Sequence, residues 1–182
     1  MTKIAEKLKI LEESIGSACL RAGRSRREIK LVVVTKSASF EEIKQVLKLG
    51  CTDLGENRVQ QLTKVAAQFS ELLEKPDEQL LMVGKINWHM IGHLQRNKVK
   101  QVLEIASLIH SVDTLRLAEE INAHAAKLGI RPKVLLQVNT SREPQKYGVP
   151  VGAVTHLAEQ METLPNLRLA RLMTIAPLPH HK

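Results

Sequence analysis

Aromatic side chains are nearly missing from this chain: one Trp, one Tyr and two Phe among 182 residues, 2% of the total. Four rings (Phe40, Phe69, Trp88, Tyr147) offer almost no platform for stacking nucleobases, which argues against nucleic acid as a specialised partner. Cysteine is as scarce. Cys19 and Cys51 lack metal-ligand spacing and cannot build a disulfide framework, so a reducing cytoplasm fits best. No apolar run approaches the roughly 20 residues of a membrane span. The opening Met1-Thr2-Lys3-Ile4-Ala5-Glu6-Lys7 has no signal-peptide core, so no membrane association is expected. Also missing are G-x-G-x-x-G and G-x-x-x-x-G-K-[ST], the glycine-rich turns that cradle phosphates in open nucleotide-binding sheets.

What is present is ordinary for a water-soluble domain: 43% hydrophobic and 25% charged residues. The net charge of +8 and pI near 9.7 favour anionic partners, whether nucleic acid or a phosphorylated small molecule. The densest basic cluster, Arg21, Arg24, Arg26 and Arg27, sits in no recognisable motif and reads as a solvated helix end.

The centre of the pattern is Leu31-Val32-Val33-Val34-Thr35-Lys36-Ser37. Three β-branched residues in an apolar run predict a short strand over 30–35, buried on both faces as in parallel sheets. An ammonium at the mouth of such a strand is partly desolvated, which favours the nucleophilic amine that a Schiff base requires. The alternative is a strand-end lysine that snorkels to water.

Upstream, Ile4, Leu8, Leu11, Ile15 and Ala18 recur at helical spacing over 3–22. Downstream, Ser39 with Glu42 forms a capping box for a helix over 40–49, stopped at Gly50. Cys51-Thr52-Asp53-Leu54 predicts a second strand ended by Gly55, and a helix of about 16 residues runs from Arg58 until Pro76-Asp77-Glu78 breaks it. Further strands are expected at 88–91, 106–110, 132–138 and 167–175. Helical faces are expected near 94–103, over 115–128 (closed by Gly129) and over 150–162.

Strand–helix alternation with polar residues after each strand (Lys36, Glu56-Asn57, His93, Ser111-Val112-Asp113, Asn139, Thr174) favours a β/α barrel, whose loops gather at one face. A closed barrel needs eight strands and about 250 residues. Six strands are readable, so the fold expected is an α/β, incomplete (β/α)8 TIM-type barrel forming one domain over 1–182.

Single residues leave alternatives open. His89 and His93 are four apart, but Gly92 interrupts them and no glutamate completes H-E-x-x-H, so no metal site is expected. Glu56 reads as an acid or as a helix-start carboxylate. Asn139 can bind a ligand or tie down the loop after it. Lys146 is a second lysine on the same face, in a loop where solvation is the usual state.

Val33-Val34-Thr35-Lys36, Gly55-Glu56-Asn57-Arg58-Val59-Gln60, the run Trp88-His89-Met90-Ile91-Gly92-His93-Leu94-Gln95-Arg96-Asn97-Lys98, Ser111-Val112-Asp113, Gln137-Val138-Asn139 and Leu172-Met173-Thr174 occur in that order. Together they resemble the pyridoxal-phosphate homeostasis protein family (YggS- or PROSC-like) from about residue 5 to about 176. The resemblance implies a barrel similar to the N-terminal domain of alanine racemase. It implies pyridoxal 5′-phosphate held as a Schiff base on Lys36, with Asn57, Asn139 and Met173 lining the pocket and Lys146 on a loop over it. The implied role is a non-catalytic carrier or buffer in vitamin B6 homeostasis, with no catalytic residue, no nucleic-acid partner and a monomeric state. The alternatives weighed are a PLP-dependent enzyme of the racemase or decarboxylase group and a basic nucleic-acid-binding protein.

Three departures from the family pattern stand out. Arg171 replaces the usual glycine before Leu172, and Tyr147 replaces a small residue before Gly148. The family's last two strands, which supply phosphate contacts, have no counterpart after Met173-Thr174. Weak cofactor retention and marginal solubility are the expectations that follow, because phosphate binding rests on clustered backbone N–H groups and a bidentate arginine.

Overall fold

The computed structural model describes residues 2–74, 84–143 and 145–176. Six strands lie parallel in one sheet: β1 (Val33–Val34), β2 (Asp53–Glu56), β3 (Asn87–Met90), β4 (Ala106–Val112), β5 (Lys133–Asn139) and β7 (Arg168–Met173). Each pairs with its neighbour in sequence, except that a two-residue strand, β6 (Val149–Pro150), joins only the C-terminal end of β5. Among the described residues β1 and β7 are the unpaired edges, so the barrel is not closed.

Helices return the chain between strands: α1 (Lys3–Arg21) precedes the sheet, then α2 (Phe40–Lys48), α3 (Val59–Glu74), α4 (Val99–Leu103), α5 (Leu115–Leu128) and α6 (Val154–Glu162). Their ends follow local chemistry. Ser39 and Glu42 form the reciprocal capping box at α2, the Thr114 hydroxyl accepts from Leu117 N–H at the start of α5, and Gly129 ends α5 in the left-handed region at φ 63°.

Alternation along the strands divides the side chains into two sets. Leu54, Trp88, Met90, Val134 and Leu136 are buried in the core that the helices cover. Phe69 of α3 is 1% exposed there, its ring centroid 4.5 Å from that of Phe40. Each such side chain contributes about 1.5–3 kcal/mol by leaving water. The other set, including Asn87, His89 and Lys133, points into the barrel, where these polar groups alternate with apolar ones such as Leu108 and Leu135.

The six expected strands are all present, with four corrections. The strand around Val33 is an edge strand, not one buried on both faces: Val34 is 49% exposed because nothing pairs beyond it. Gly55 lies inside β2 instead of ending it, since a Cβ there would sit 3.2–3.3 Å from Val32 and Ile91 side chains that pack over the backbone. Ser111 and Val112 belong to β4 rather than to a loop, because the register with β5 shifts and extends to Val112↔Leu136. The short β6 had no sequence signal beyond Val149. The break expected at Pro76-Asp77-Glu78 and the segment from Pro177 lie outside the described residues.

Candidate functional site

Because all strands run the same way, their C-terminal ends share one face. Thr35 directly follows β1 and is 1% exposed; its hydroxyl donates to Glu56 Oε1 at 2.5 Å. A turn then carries Lys36 out into solvent before the Ser39 cap. The desolvation expected of Lys36 is therefore absent, as an edge strand has no rim to cover it. Lys36 nevertheless has no hydrogen-bond or ion-pair partner among the described residues.

Glu56 is not a helix-start carboxylate, and its reading as an acid stays open. It closes β2, fully buried, three residues before α3 begins. Burial pushes its carboxyl above the ordinary value, only partly opposed by the Thr35 hydroxyl, and its Oε2 has no hydrogen-bond partner among the described residues. Asn57 follows, exposed, at the start of the loop into α3. The backbone of this loop meets that of Gly92 so closely that a Cβ on Gly92 would fall 2.1 Å from the Asn57 carbonyl oxygen. Only glycine permits that crossing.

After β3, His93 stacks on Tyr147 with centroids 4.0 Å apart and planes 13° from parallel. Its Nδ1 lies 4.0 Å from an Asp113 carboxylate oxygen. Burial pushes the Asp113 carboxyl up, while His93 and the Gly148 N–H pull it back in part. Gly148 at φ 124° leaves no room for a side chain, since a Cβ would sit 2.6 Å from Asn139 N. His93, Asp113, Tyr147 and Gly148 thus clamp the loop after β5 to the ends of β3 and β4.

The two readings of Asn139 separate here. Its amide nitrogen donates to the carbonyls of Glu143 (2.9 Å) and Lys146 (3.2 Å), and its oxygen accepts from Ser141. Asn139 ties down the loop. Lys146 belongs to the same loop and is paired with Glu143 at 2.5 Å. Met173 ends β7, half-buried beside Gln137, and the Thr174 hydroxyl donates to Val138 O at 3.0 Å. Lys36, Asn57, Asn139 and Met173 therefore share the C-terminal face, but Asn139 and Lys146 are spent on internal bonds. Arg142 adds a cation there, lining a cavity of ≈ 390 Å³ with Asn139 and Gly152. The Thr35–Glu56 pair and the His93–Tyr147–Asp113 clamp are site features that sequence reading missed; the only signal was Tyr147 standing before a glycine.

The model of the alanine racemase N-terminal domain matches residues 20–180. This chain belongs to that family. Within it, the chain is 37% identical to the pyridoxal phosphate homeostasis protein of Aquifex aeolicus, over 94% of this chain and 70% of that one. It is 35% identical to the protein of the same name from Escherichia coli K12, over 98% and 72%. Among solved structures, an unknown protein from Bifidobacterium adolescentis aligns with TM-score 0.84 at 32% identity, covering 97% of this chain and 71% of that one. PipY of Synechococcus elongatus, solved with PLP bound, aligns with TM-score 0.74 at 31% identity over 98% and 73%. An alanine racemase of Clostridium difficile, at 18% identity and TM-score 0.58, shares the fold alone.

The family's homeostasis proteins thus extend beyond the span that this chain matches. No helix among the described residues is long and apolar enough to cross a membrane.

Proposed function

We propose that this chain, a single barrel domain over 1–182, binds pyridoxal 5′-phosphate on Lys36 and carries or buffers the cofactor without turning over a substrate. One observation carries the reading. Of the two lysines expected at the C-terminal face, Lys146 is neutralised by Glu143, whereas the Lys36 amine is exposed and has no partner among the described residues. The cofactor, when bound, supplies an aldehyde that an amine captures as an imine. Asn57 and Arg142 are polar groups on the same face able to orient an anionic ligand, and Met173 presents an apolar surface to a ring.

The names of the relatives favour carriage over catalysis, and so does the engagement of His93 and Asp113 in the clamp. A monomer working in the cytoplasm completes the reading, consistent with two free cysteines, one of them buried. Incubation with pyridoxal phosphate, borohydride reduction and peptide mapping should place the label on Lys36, and Lys36→Ala should abolish it. Labelling that survives in Lys36→Ala would refute the assignment. Racemisation of an amino acid faster than with free cofactor would refute the carrier role.

A further inference from the structure

The apolar run before Lys36 does not set its own register. Val32, Val33 and Val34 are consecutive, so a valine lies opposite Leu54 in the observed pairing and in either pairing displaced by one residue. Yet a slip of one residue moves every side chain of a strand to the other face. The side from which Lys36 emerges therefore depends on something other than the valines.

Thr35 is the first residue that tells these registers apart. Val33 packs against the helix-covered core together with Leu54, its partner across the strands. By alternation Thr35 and Glu56 lie on that same side, and both are buried, at 1% and 0% exposure. The Thr35 hydroxyl donates to Glu56 Oε1 at 2.5 Å, beside the bond from Thr35 N–H to Gly55 O at 3.0 Å. Val34 and then Lys36 start on the opposite side, where both are exposed.

Each slipped register spoils this contact in its own way. One sets Val34 against the Glu56 carboxyl and leaves the buried group without its donor. The other sets Lys36 against it, as a buried ion pair that removes the free amine. The pair is also costly to keep. Glu56 Oε2 finds no hydrogen-bond partner among the described residues, a penalty that two apolar side chains would not carry. Local costs of this kind gather at functional sites.

We propose that Thr35 and Glu56 are positioning residues for Lys36, their buried hydroxyl–carboxyl bond pinning the register of β1 on β2 and so deciding the side on which the amine emerges, a role that rests on Lys36 being the lysine that forms the imine. Both point toward the helices and act only through Lys36.

Comparison of the double variant Thr35→Val/Glu56→Leu with Thr35→Val, Thr35→Ser and the parent, all as the full chain, tests the pin. The double variant orphans no polar atom and should melt at or above the parent, while Thr35→Val alone reads the same loss if the double variant does not fold. Affinity for pyridoxal phosphate is read by titrating the imine absorbance and by borohydride labelling of Lys36. It should fall about tenfold in both valine variants, the worth of one buried hydrogen bond. Thr35→Ser keeps the hydroxyl and should bind as the parent does. Without cofactor, the nuclear Overhauser contact between Val33 and Leu54 reads the register directly. It should persist in Thr35→Ser and weaken in the valine variants. Parent-like affinity in the valine variants overturns the proposal, as does Thr35→Ser binding as weakly as Thr35→Val, or an undiminished Val33–Leu54 contact throughout. A parent that takes no label on Lys36 fails the imine reading instead, and the Overhauser contact then decides the register by itself.

Discussion

Gly92→Ala is the most demanding test of how the C-terminal face is built. The added methyl would sit 2.1 Å from the Asn57 carbonyl oxygen and 2.8 Å from its carbonyl carbon and Cα. Non-bonded carbons settle at about 3.5 Å or more, so the β2–α3 loop would have to retreat by roughly 1 Å. That loop is not free to move, because the neighbouring Ile91 N–H donates to Glu56 O at 2.9 Å and Glu56 is fully buried. Overpacking costs about 1–3 kcal/mol and the strained hydrogen bond about 1 more, or roughly 2–4 kcal/mol together. For a chain of this size that lowers the melting temperature by about 5–15 °C. Gly16→Ala is the control, since its Cβ meets nothing within 4 Å on α1 and the change should be neutral or mildly stabilising. Thermal unfolding followed by circular dichroism reads both. A Gly92→Ala protein melting within 2 °C of the parent would refute the packing argument, which needs more than about 2 kcal/mol.

Glu56 should make stability fall with rising pH. Its folded carboxyl sits above the ordinary value, so its contribution is fully present below that value and lost as pH rises through the folded one. Urea unfolding of Glu56→Gln should therefore gain on the parent from pH 4 toward pH 8; a difference independent of pH would sink this. Tyr147→Ala removes a stacked pair worth about 0.5–1.5 kcal/mol. It should speed amide exchange across 140–148 while leaving the β-strands protected, and unchanged exchange there would show that Asn139 holds the loop alone.

Helix ends were legible because they are written in adjacent residues: the Ser39–Glu42 box, Gly129 and the sixteen residues of α3 follow from spacing and caps. Strand order was legible from the strand–helix alternation. What escaped was set by register between distant segments. Asp53, His89 and His110 lie on three strands, and only the pairing of Gly55 with His89, and the shift between β3 and β4, brings their side chains into line. Asn139 stayed undecided because its partners are main-chain carbonyls, which no sequence pattern displays. The exposure of Lys36 depended on what lies beyond β1, which a single strand cannot reveal.

The pairing of each strand with the one before it, β7 reaching past the two-residue β6 to β5, also bears on how the protein is made. Paired residues such as Val33↔Leu54, Trp88↔Ala106 and Val134↔Leu169 are at most about 35 positions apart. At synthesis rates of about 5–20 residues per second, each emerging strand finds its partner already outside the ribosome within a few seconds. The sheet can therefore grow by accretion from the N-terminus. At each moment one fresh strand edge is open at the growing side, and each incoming helix covers the core left by the unit before it.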